Sequence, residues 1–403
     1  MSDWQALDQQ YLMSTYHRLP IAIERAEGNH LYDTGGRSYL DLFTGLAVNI
    51  LGHSHPAVMQ ALRQQGERYL HVSNKFLNPP AIQLARRLVE SSIPGKVFFT
   101  NSGAEATETA VKLVHKWSRE PDRARQGFVV MEKSFHGRTL GAIRLTRQPG
   151  VYQDFPQPAI PVFEVPPNDI DALKTVCERE RPAAILAEPI LGSGGVQPLE
   201  KDYLKAMAVI ARERGMLLLL DEIQTGIGRT GTFFAHQAYG ITPDLILFAK
   251  GVGGGLPLGG ILASDRIASL FRPGDHGTTF APSPLSAALG LAVVEELLDR
   301  GGLEQGRKNA AYLWEALSSL REKHPDVIGT IRGKGMMIGL DTRLSPEEAL
   351  RLQRGLLEDG VLVDIAQQRV IRLLPPLTLK PEETDFFVDR LSTRLSRIGE
   401  GIS

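Results

Sequence analysis

Five short apolar runs, separated by helix-like stretches, limit the possible folds of this chain more than any other feature. A strand that is apolar at nearly every position is buried on both faces, as in a parallel sheet covered by helices on each side. We therefore predict an α/β fold whose central sheet is mostly parallel. The runs lie at residues 97–100, 128–131, 184–187, 216–220 and 245–249.

The two ends of the chain have a different pattern. Residues 22–26 and 30–33, with turn-forming residues at 27–29 and 34–37, predict a small β-meander. After a helical pattern at 285–298, residues 335–340 and 369–373 read as strands of a smaller α+β domain. A chain of 403 residues exceeds one ordinary core. We predict an N-terminal segment (1–50) that packs with the small domain, a large α/β domain (51–290) and a C-terminal small α+β domain (291–403).

Composition argues against several classes of partner. The formal net charge of −1 gives no reason to expect binding to nucleic acid or a membrane. The single cysteine, Cys177, excludes an intramolecular disulfide framework, fits a reducing cytoplasm and is interpreted as structural. The first residues lack the pattern of a signal peptide, and no apolar stretch reaches the roughly 18 residues of a membrane span. We expect a cytoplasmic protein.

Several common site motifs are missing from the sequence. The glycine-rich residues 251–255 are followed by Pro257 and not by a helix, so they are not a dinucleotide fingerprint. There is no P-loop lysine pattern and no Gly-x-Ser-x-Gly elbow. His53 and His55 have no further His/Cys cluster beside them, so turn and cap roles are favoured and we expect no metal site.

Two of the apolar runs end in ionisable residues. Lys250 follows the run 245–249, and Asp221 follows the run 216–220. Burial lowers the pKa of a lysine and frees its lone pair, which a lysine that attacks a carbonyl group requires. A lysine and a carboxylate at two strand ends match the needs of pyridoxal phosphate, whose aldehyde bonds to one and whose ring nitrogen pairs with the other. We therefore predict that the large domain (51–290) binds this cofactor.

Polar residues at the other strand ends belong at the same edge, because ligands of open α/β sheets bind beyond the carboxyl ends of the strands. Small residues at 102–104 open a helix and leave N–H groups free for a phosphate; the alternative is a plain helix cap. Phe135 can stack on a ring and Arg138 can hold a carboxylate, although a solvated surface loop is the alternative. Glu188 can neutralise an arginine until substrate displaces it, and Gln224 can contact a phenolic oxygen.

Together these segments resemble the class III (subgroup II) pyridoxal-phosphate aminotransferases of fold type I. The likeness runs from Tyr-His-Arg-Leu-Pro at 16–20 to Arg-Leu-Leu-Pro-Pro-Leu at 372–377. Its most specific part is Leu-Asp-Glu-Ile-Gln-Thr-Gly-Ile-Gly-Arg-Thr-Gly at 220–231, followed by Pro243-Asp244 and Ala249-Lys250-Gly251. Segments 18–20, 45–49 and 135–139 and the segment at Arg372 are most similar to the members that act on N2-acetylornithine.

The resemblance implies roles for individual residues around the cofactor. Lys250 would bind the cofactor covalently and carry protons, and Asp221 would pair with the ring nitrogen. Thr279 would reach the phosphate bound by a partner subunit, which implies a homodimer with shared active sites. The remaining cofactor positions implied are Ser102, Gly103 and Ala104 for the phosphate, Phe135 for stacking and Gln224 for the ring hydroxyl.

The resemblance also implies a reaction: transfer of the terminal amino group of N2-acetylornithine to 2-oxoglutarate, giving N-acetylglutamate 5-semialdehyde and glutamate, a step of arginine biosynthesis. Arg138 would hold the far carboxylate of the substrate, and Arg372 the α-carboxylate of glutamate or 2-oxoglutarate. Glu188 would mask Arg372 while a terminal amine is bound, since an unpaired buried charge is costly. Tyr16 would lie near the substrate carboxylate.

Other activities remain open. One is another ω-aminotransferase of the class, acting on succinylornithine, 4-aminobutyrate, ornithine or a lysine-pathway substrate; Gly45 leaves room for an N-acyl group and favours acylornithine. A racemase or aminomutase would have no reason to keep two arginines. A non-catalytic regulator would usually append a DNA-binding module. The chain departs from the acetylornithine branch at Thr107, where asparagine is usual, and at residues 281–284. It also departs at Leu191 and Ser193, which remove polar and acidic groups near the site.

Overall fold

The computed structural model describes residues 3–120, 123 and 125–400, so the predicted outer limits at residues 1 and 403 lie outside the described residues. Its strands form a seven-stranded sheet, two four-stranded sheets and a two-stranded ribbon. The strands in chain order are β1 (Ile23–Glu27), β2 (His30–Asp33), β3 (Ser38–Asp41), β4 (Gly95–Thr100), β5 (Phe128–Met131), β6 (Val162–Val165), β7 (Ala184–Ala187), β8 (Ile190–Leu191), β9 (Gln197–Pro198), β10 (Leu217–Asp221), β11 (Leu245–Phe248), β12 (Gly259–Ser264), β13 (Ile328–Lys334), β14 (Met337–Thr342), β15 (Val361–Leu362), β16 (Asp364–Ala366) and β17 (Val370–Leu373).

Helices cover both faces of the large sheet and fill the C-terminal region. A short 3₁₀ helix, Lys250–Gly253, follows β11. The α-helices are Trp4–Tyr11, Pro56–Gly66, Pro79–Glu90, Gly103–Ser118, Leu140–Leu145, Pro149–Tyr152, Ile170–Glu180, Lys201–Glu213, His236–Tyr239, Pro284–Leu298, Gly302–Lys323, Pro346–Glu358 and Pro381–Glu400.

The seven-stranded sheet has the order β4-β12-β11-β10-β7-β5-β6. It is parallel except for β12, which runs antiparallel to both neighbours. Alternate side chains enter two different cores: Leu217 and Leu219 pack on one face of β10, and Leu218 and Leu220 on the other. Burial on both faces explains the continuous apolar runs, and each such leucine contributes about 1.5–3 kcal/mol. The predicted α/β class is confirmed, and the sheet also contains two strands that were not predicted, β6 and β12.

The N-terminal β-meander is present as predicted and joins strands from the far end of the chain. Strands β1, β2 and β3 pair antiparallel, and β3 also pairs in parallel with β15 through Leu40 and Val361. Asn29 Nδ2 donates to the Thr378 carbonyl at 3.0 Å and to Glu383 Oε2 at 2.6 Å. These contacts link the first and last parts of the chain, whereas the division into three segments stays a prediction.

The predicted strand at 335–340 begins too early. Gly335 has a φ of 58° and lies in the turn between β13 and β14, so β14 starts only at Met337. The third sheet has the order β13-β14-β17-β16 and is antiparallel throughout. The predicted strand at 369–373 corresponds to β17, which carries Arg372 in its interior.

Residues Thr44–Ala47 form a single left-handed turn. All four φ angles are positive, from 49° at Thr44 to 69° at Ala47. This conformation costs about 1–2 kcal/mol for each residue other than glycine. Asp41 Oδ1 offsets part of this cost by accepting hydrogen bonds from the N–H groups of Phe43 and Thr44, at 2.9 and 2.8 Å. Thr44 Oγ1 donates to the Leu374 carbonyl at 2.7 Å and anchors the turn to the C-terminal region.

The surroundings of Cys177, His53 and His55, for which structural roles were predicted, are as follows. Cys177 is buried in the helix Ile170–Glu180, and burial raises the pKa of its thiol to about 11. His53 Nε2 lies 2.8 Å from Asp41 Oδ2, and His55 is the N-cap residue of the helix Pro56–Gly66. None of the helices in the described part of the chain is long and apolar enough to cross a membrane.

Candidate active site

The carboxyl ends of three adjacent strands bring three ionisable residues to one edge of the large sheet. The register pairs Leu220 of β10 with Ala187 of β7, so the residues that follow them, Asp221 and Glu188, lie side by side. Asp221 also pairs with Leu247 of β11, three residues before Lys250. The sheet thus gathers Glu188, Asp221 and Lys250, as expected for the ligand-binding edge of an α/β sheet.

Lys250 is held in an unusual backbone conformation directly after β11. Its φ is 52°, and it begins the 3₁₀ helix that reverses the chain towards β12. Burial, reinforced by the nearby charge of Arg372, lowers the pKa of the Lys250 amine to about 8, against the opposing influence of Asp221 and Glu188. Roughly a tenth of the amine is therefore neutral and nucleophilic at pH 7, far more than for an ordinary lysine.

Asp221 is only 3% exposed and is held from two sides. Its Oδ2 lies 2.7 Å from His136 Nδ1, and its Oδ1 accepts from the Ile223 N–H at 3.1 Å. His136 is itself buried, and its Nε2 has no partner among the described residues. The sequence analysis assigned no role to His136. Its position directly after Phe135, the residue expected to stack on the cofactor ring, is the feature that could have indicated one.

The helix Gly103–Ser118 points its N-terminus at this edge. Ser102 caps it by accepting from the Glu105 N–H at 3.2 Å, so the plain cap weighed above is present. The N–H groups of Gly103 and Ala104 precede the first hydrogen-bonded turn and stay available to an anion. A Cβ at Gly103 would lie 2.8 Å from Ile223 Cδ1, so glycine permits the close approach of helix and β10 loop. The capping role of Ser102 and the binding of a phosphate by the N–H groups of Gly103 and Ala104 are therefore compatible.

Thr107, one of the departures from the family pattern, joins this helix to the His136 loop. Its Oγ1 donates to the His136 carbonyl at 2.7 Å and contacts the Gly103 carbonyl at 3.2 Å. The hydroxyl is fully buried and replaces a larger amide without leaving these carbonyls unpaired.

Gln224 presents a buried amide oxygen without a hydrogen-bond partner among the described residues. It lies so close to Gly192 that a Cβ at that glycine would be 2.0 Å from Oε1. Leu191, expected near the site, is fully buried and packs in the core with Leu199 and Tyr203, so its side chain does not line the site. Strand β8 turns alternate side chains to opposite faces and directs Leu191 to the core.

Glu188 and Arg372 each have other partners in the structure, and the masking of Arg372 by Glu188 while a terminal amine is bound stays a prediction. Glu188 is 6% exposed, and its two oxygens accept from the N–H groups of Phe135, at 2.8 Å, and Gly192, at 3.2 Å. Burial raises the pKa of Glu188 to about 7, despite the opposing influence of His136. Arg372, 7% exposed, bonds instead to Asp364, the residue opposite it on β16.

The remaining predicted residues lie at the surface of the described chain. Arg138 is exposed, with its Cζ 5.9 Å from the centre of the half-buried Phe135 ring. Tyr16 is 73% exposed and lies 5.6 Å from Arg18 Cζ. Thr279 is also exposed, whereas Thr278 Oγ1 accepts from Asn101 Nδ2 at 3.1 Å, beside the start of the helix Gly103–Ser118.

This set of groups fits pyridoxal phosphate. The site offers an amine with a lowered pKa, a buried carboxylate for a ring nitrogen and the N-terminus of a 16-residue helix for a phosphate. The unpartnered Gln224 Oε1 suits a ring hydroxyl, which can donate to it. Both the charge and the hydrogen-bonding capacity of the cofactor are matched.

Comparison with known proteins agrees with this chemistry. An acetylornithine aminotransferase of Caldanaerobacter subterraneus subsp. tengcongensis is 43% identical over 393 residues, or 97% of this chain and 98% of its own. The solved structure of an acetylornithine aminotransferase from Elizabethkingia anophelis has a TM-score of 0.88 at 31% identity and covers 98% of each chain. An ornithine aminotransferase from Toxoplasma gondii, described with pyridoxal phosphate at its active site, has a TM-score of 0.93 at 28% identity and covers 99% of this chain and 95% of its own.

The family model for class III aminotransferases matches residues 11–395, almost the entire described chain. The fold is that of the pyridoxal-phosphate aminotransferases of fold type I. The amine, carboxylate and helix N-terminus at the strand ends, together with these matches, establish that the chain belongs to the class III aminotransferases, which are pyridoxal-phosphate-dependent transaminases.

Proposed function

We propose that this transaminase moves the terminal amino group of N2-acetylornithine to 2-oxoglutarate, forming N-acetylglutamate 5-semialdehyde and glutamate. The observation that carries the proposal is a difference in burial between the two guanidinium groups predicted to bind substrate. Arg372 is buried and influences the pKa of Lys250, whereas Arg138 is exposed beside Phe135. Such an arrangement suits a donor whose carboxylate lies far from its reacting amine. The acetylornithine aminotransferases named above support the same substrate.

The chain's own residues would divide the work as follows. Pyridoxal phosphate, when bound, supplies an electron sink for the charge left when a proton leaves the carbon that carries the amine. The Nζ atom of Lys250 would hold the cofactor between turnovers and, once free, would take up and return that proton. Asp221, kept in place by His136, would preserve the proton on the ring nitrogen. Gln224 would bind the ring hydroxyl, and Phe135 would cover the ring.

Substrate and phosphate contacts complete the proposed site. The N–H groups of Gly103 and Ala104 and the Ser102 segment would bind the phosphate. The substrate contacts that we propose are Arg138 for the distal carboxylate, Arg372 for the α-carboxylate of glutamate or 2-oxoglutarate, Glu188 beside them and Tyr16 at the entrance.

We also propose a homodimer in which Thr279 reaches the phosphate in the partner's site. The support is an exposed apolar patch next to Thr279, since large exposed patches mark interaction surfaces. Asn74 Nδ2 binds the carbonyls of Thr278 and Ala281 at 2.8 and 3.0 Å and so holds this region together. The patch residues and their exposures are Leu70 60%, Phe76 70%, Leu77 84% and Phe280 66%.

For the location of the protein in the cell we propose the cytoplasm, where the single, buried Cys177 stays reduced.

The substrate proposal is tested by mixing the holoenzyme separately with four amines in the absence of a keto acid. N-acetylornithine, N-succinylornithine, ornithine and 4-aminobutyrate are compared by the loss of the cofactor's visible absorbance and by mass spectrometry of the product. We expect the acylornithines to react on the order of tenfold or more faster, per unit concentration, than the other two. A preference for ornithine or 4-aminobutyrate would assign the chain to another ω-aminotransferase. Bleaching by none of them would favour a non-catalytic regulator.

A second prediction concerns the pH dependence of cofactor capture. The amine attacks the cofactor aldehyde only when it is neutral, and the pKa of Lys250 is lowered to about 8. The rate of reconstitution of the apoenzyme should therefore rise with pH, level off above about 8, and fall about tenfold per unit below that value. Stopped-flow absorbance across pH 6 to 10 measures this profile at roughly half-unit steps. A rate that still rises about tenfold per unit between pH 8 and pH 10, as expected for the ordinary lysine value of 10.5, would show that the amine is not desolvated.

A further inference from the structure

The acidic residue that pairs with Arg372 is Asp364, which lies in the same antiparallel sheet. Arg372 Nε donates to Asp364 Oδ2 at 2.8 Å, and Nη2 lies 2.6 Å from the same oxygen. The two residues face each other across β16 and β17 in an antiparallel register. One edge of the guanidinium is therefore occupied by Asp364, and its other N–H groups can bind the carboxylate of a substrate.

Glu188 is poorly suited to be the permanent partner of Arg372. Both of its oxygens are engaged by backbone N–H groups, those of Phe135 and Gly192. Because burial raises its pKa to about 7, it carries only part of a full negative charge near neutral pH. Asp364, in contrast, keeps its side chain 24% exposed, which lowers the cost of leaving it ionised.

The two half-reactions make opposite demands on Arg372. Glutamate or 2-oxoglutarate brings a carboxylate to it, whereas a donor that reacts through a terminal amine does not. A buried guanidinium without a counter-charge is costly, and its field would lower the pKa of Lys250 further, because Arg372 already acts in that direction. A fixed carboxylate in the protein removes both problems.

We propose that Asp364 is a positioning and specificity residue: it orients the Arg372 guanidinium through one edge and supplies its counter-charge while the terminal-amine donor reacts. The part that concerns the donor rests on the proposed function. The same carboxylate competes with substrate for the positive charge of Arg372, so it weakens the binding of dicarboxylates. Asp364 therefore balances the affinities of the two substrates that share one site.

The test measures the binding of glutarate, a dicarboxylate with no reacting group, to the holoenzyme by calorimetry. In Asp364→Asn the amide oxygen can still accept from Arg372 Nε, but the negative charge is gone. We expect glutarate to bind about three- to tenfold more tightly. The half-reaction with N-acetylornithine should slow on the order of tenfold, whereas that with glutamate should stay within about threefold.

Asp341→Asn is the matched control. Asp341 lies in the same sheet and pairs with Arg332 and Arg369, at 2.8 and 3.1 Å, so its neutralisation weakens two ion pairs of the same sheet without involving Arg372. It should leave glutarate affinity unchanged. In an Arg372→Ala background, Asp364→Asn should also have no effect on glutarate, which identifies Arg372 as the group through which Asp364 acts.

Weaker glutarate binding in Asp364→Asn, or an equal loss in both half-reactions, would overturn the proposal. If Asp364→Asn folds poorly, Asp364→Ser provides the same comparison with a smaller side chain. The glutarate result does not depend on the amino donor. A tighter glutarate complex combined with a donor other than N-acetylornithine would therefore refute the proposed substrate and leave the role of Asp364 standing.

Discussion

Replacement of Lys250 by alanine is expected to reduce turnover on the order of 10⁴-fold while the cofactor still binds. The variant loses both the covalent holder of the cofactor and the base that carries the proton. Asp221, the helix N-terminus at Gly103 and the Gln224 amide remain, so affinity for the cofactor should persist without covalent attachment. Steady-state rates with the preferred amine, together with absorbance of the dialysed protein, measure the two effects separately.

Two controls make the Lys250 result specific. Borohydride reduction followed by mass spectrometry should place the pyridoxyl group on the Lys250 peptide of the wild type and nowhere in Lys250→Ala. Lys334→Ala is a matched variant, because burial also lowers the pKa of Lys334, which lies 4.6 Å from the Tyr239 ring and has no place in the site. It should retain wild-type turnover. Near-normal turnover in Lys250→Ala would remove this lysine from the mechanism.

Replacement of Asp221 by asparagine is expected to lower kcat on the order of 10²- to 10³-fold, with a smaller change in KM. Asparagine preserves the size of the side chain and a contact with His136 but cannot supply the negative charge that keeps the ring nitrogen protonated. The electron sink is therefore weakened at the step that forms charge, and binding is affected less. Single-turnover kinetics with the preferred amine separates that step from substrate binding.

His136 and Glu222 provide the comparisons for Asp221. His136→Asn removes the ring but retains a short donor, so kcat should fall less than in Asp221→Asn. Glu222, the next residue, is also fully buried, but its two side-chain oxygens accept from the N–H groups of Ala235 and His236. Glu222→Gln should change stability more than kcat. A kcat for Asp221→Asn within about threefold of wild type would show that Asp221 does not pair with the ring nitrogen.

The parts of the fold that could be predicted were those with an unambiguous burial pattern. Strands buried on both faces, such as β10 and β11, are continuous apolar runs, and two turns delimit the N-terminal meander. Strand β12 could not be recognised, because it begins with Gly259 and Gly260 and follows a glycine-rich turn. The boundary of β14 was wrong because Gly335 and Met336 extend its apolar run into a turn that only the φ of Gly335 reveals.

In the site, residues next to strand ends could be expected at one edge because parallel strands end together. The partners of those residues were harder to foresee. His136 meets Asp221 across 85 positions of sequence. The pairing of Arg372 with Asp364 depends on the register of β16, a three-residue strand that is too short for a sequence pattern to predict. Leu191 was expected near the site because of its place in the family pattern, but alternation along β8 turns its side chain to the core.

The parallel pairing of β3 with β15 has a consequence for synthesis of the chain on the ribosome. Val361 is synthesised about 320 residues after Leu40, so the meander gains its fourth strand only late in synthesis. At roughly 5–20 residues per second the delay is about 16 to 64 s. Throughout that interval the nascent chain presents an unpaired strand edge, the kind of surface that recruits other strands. Chaperone binding to emerging chains should therefore be concentrated on these first residues and end only when the C-terminal region is released.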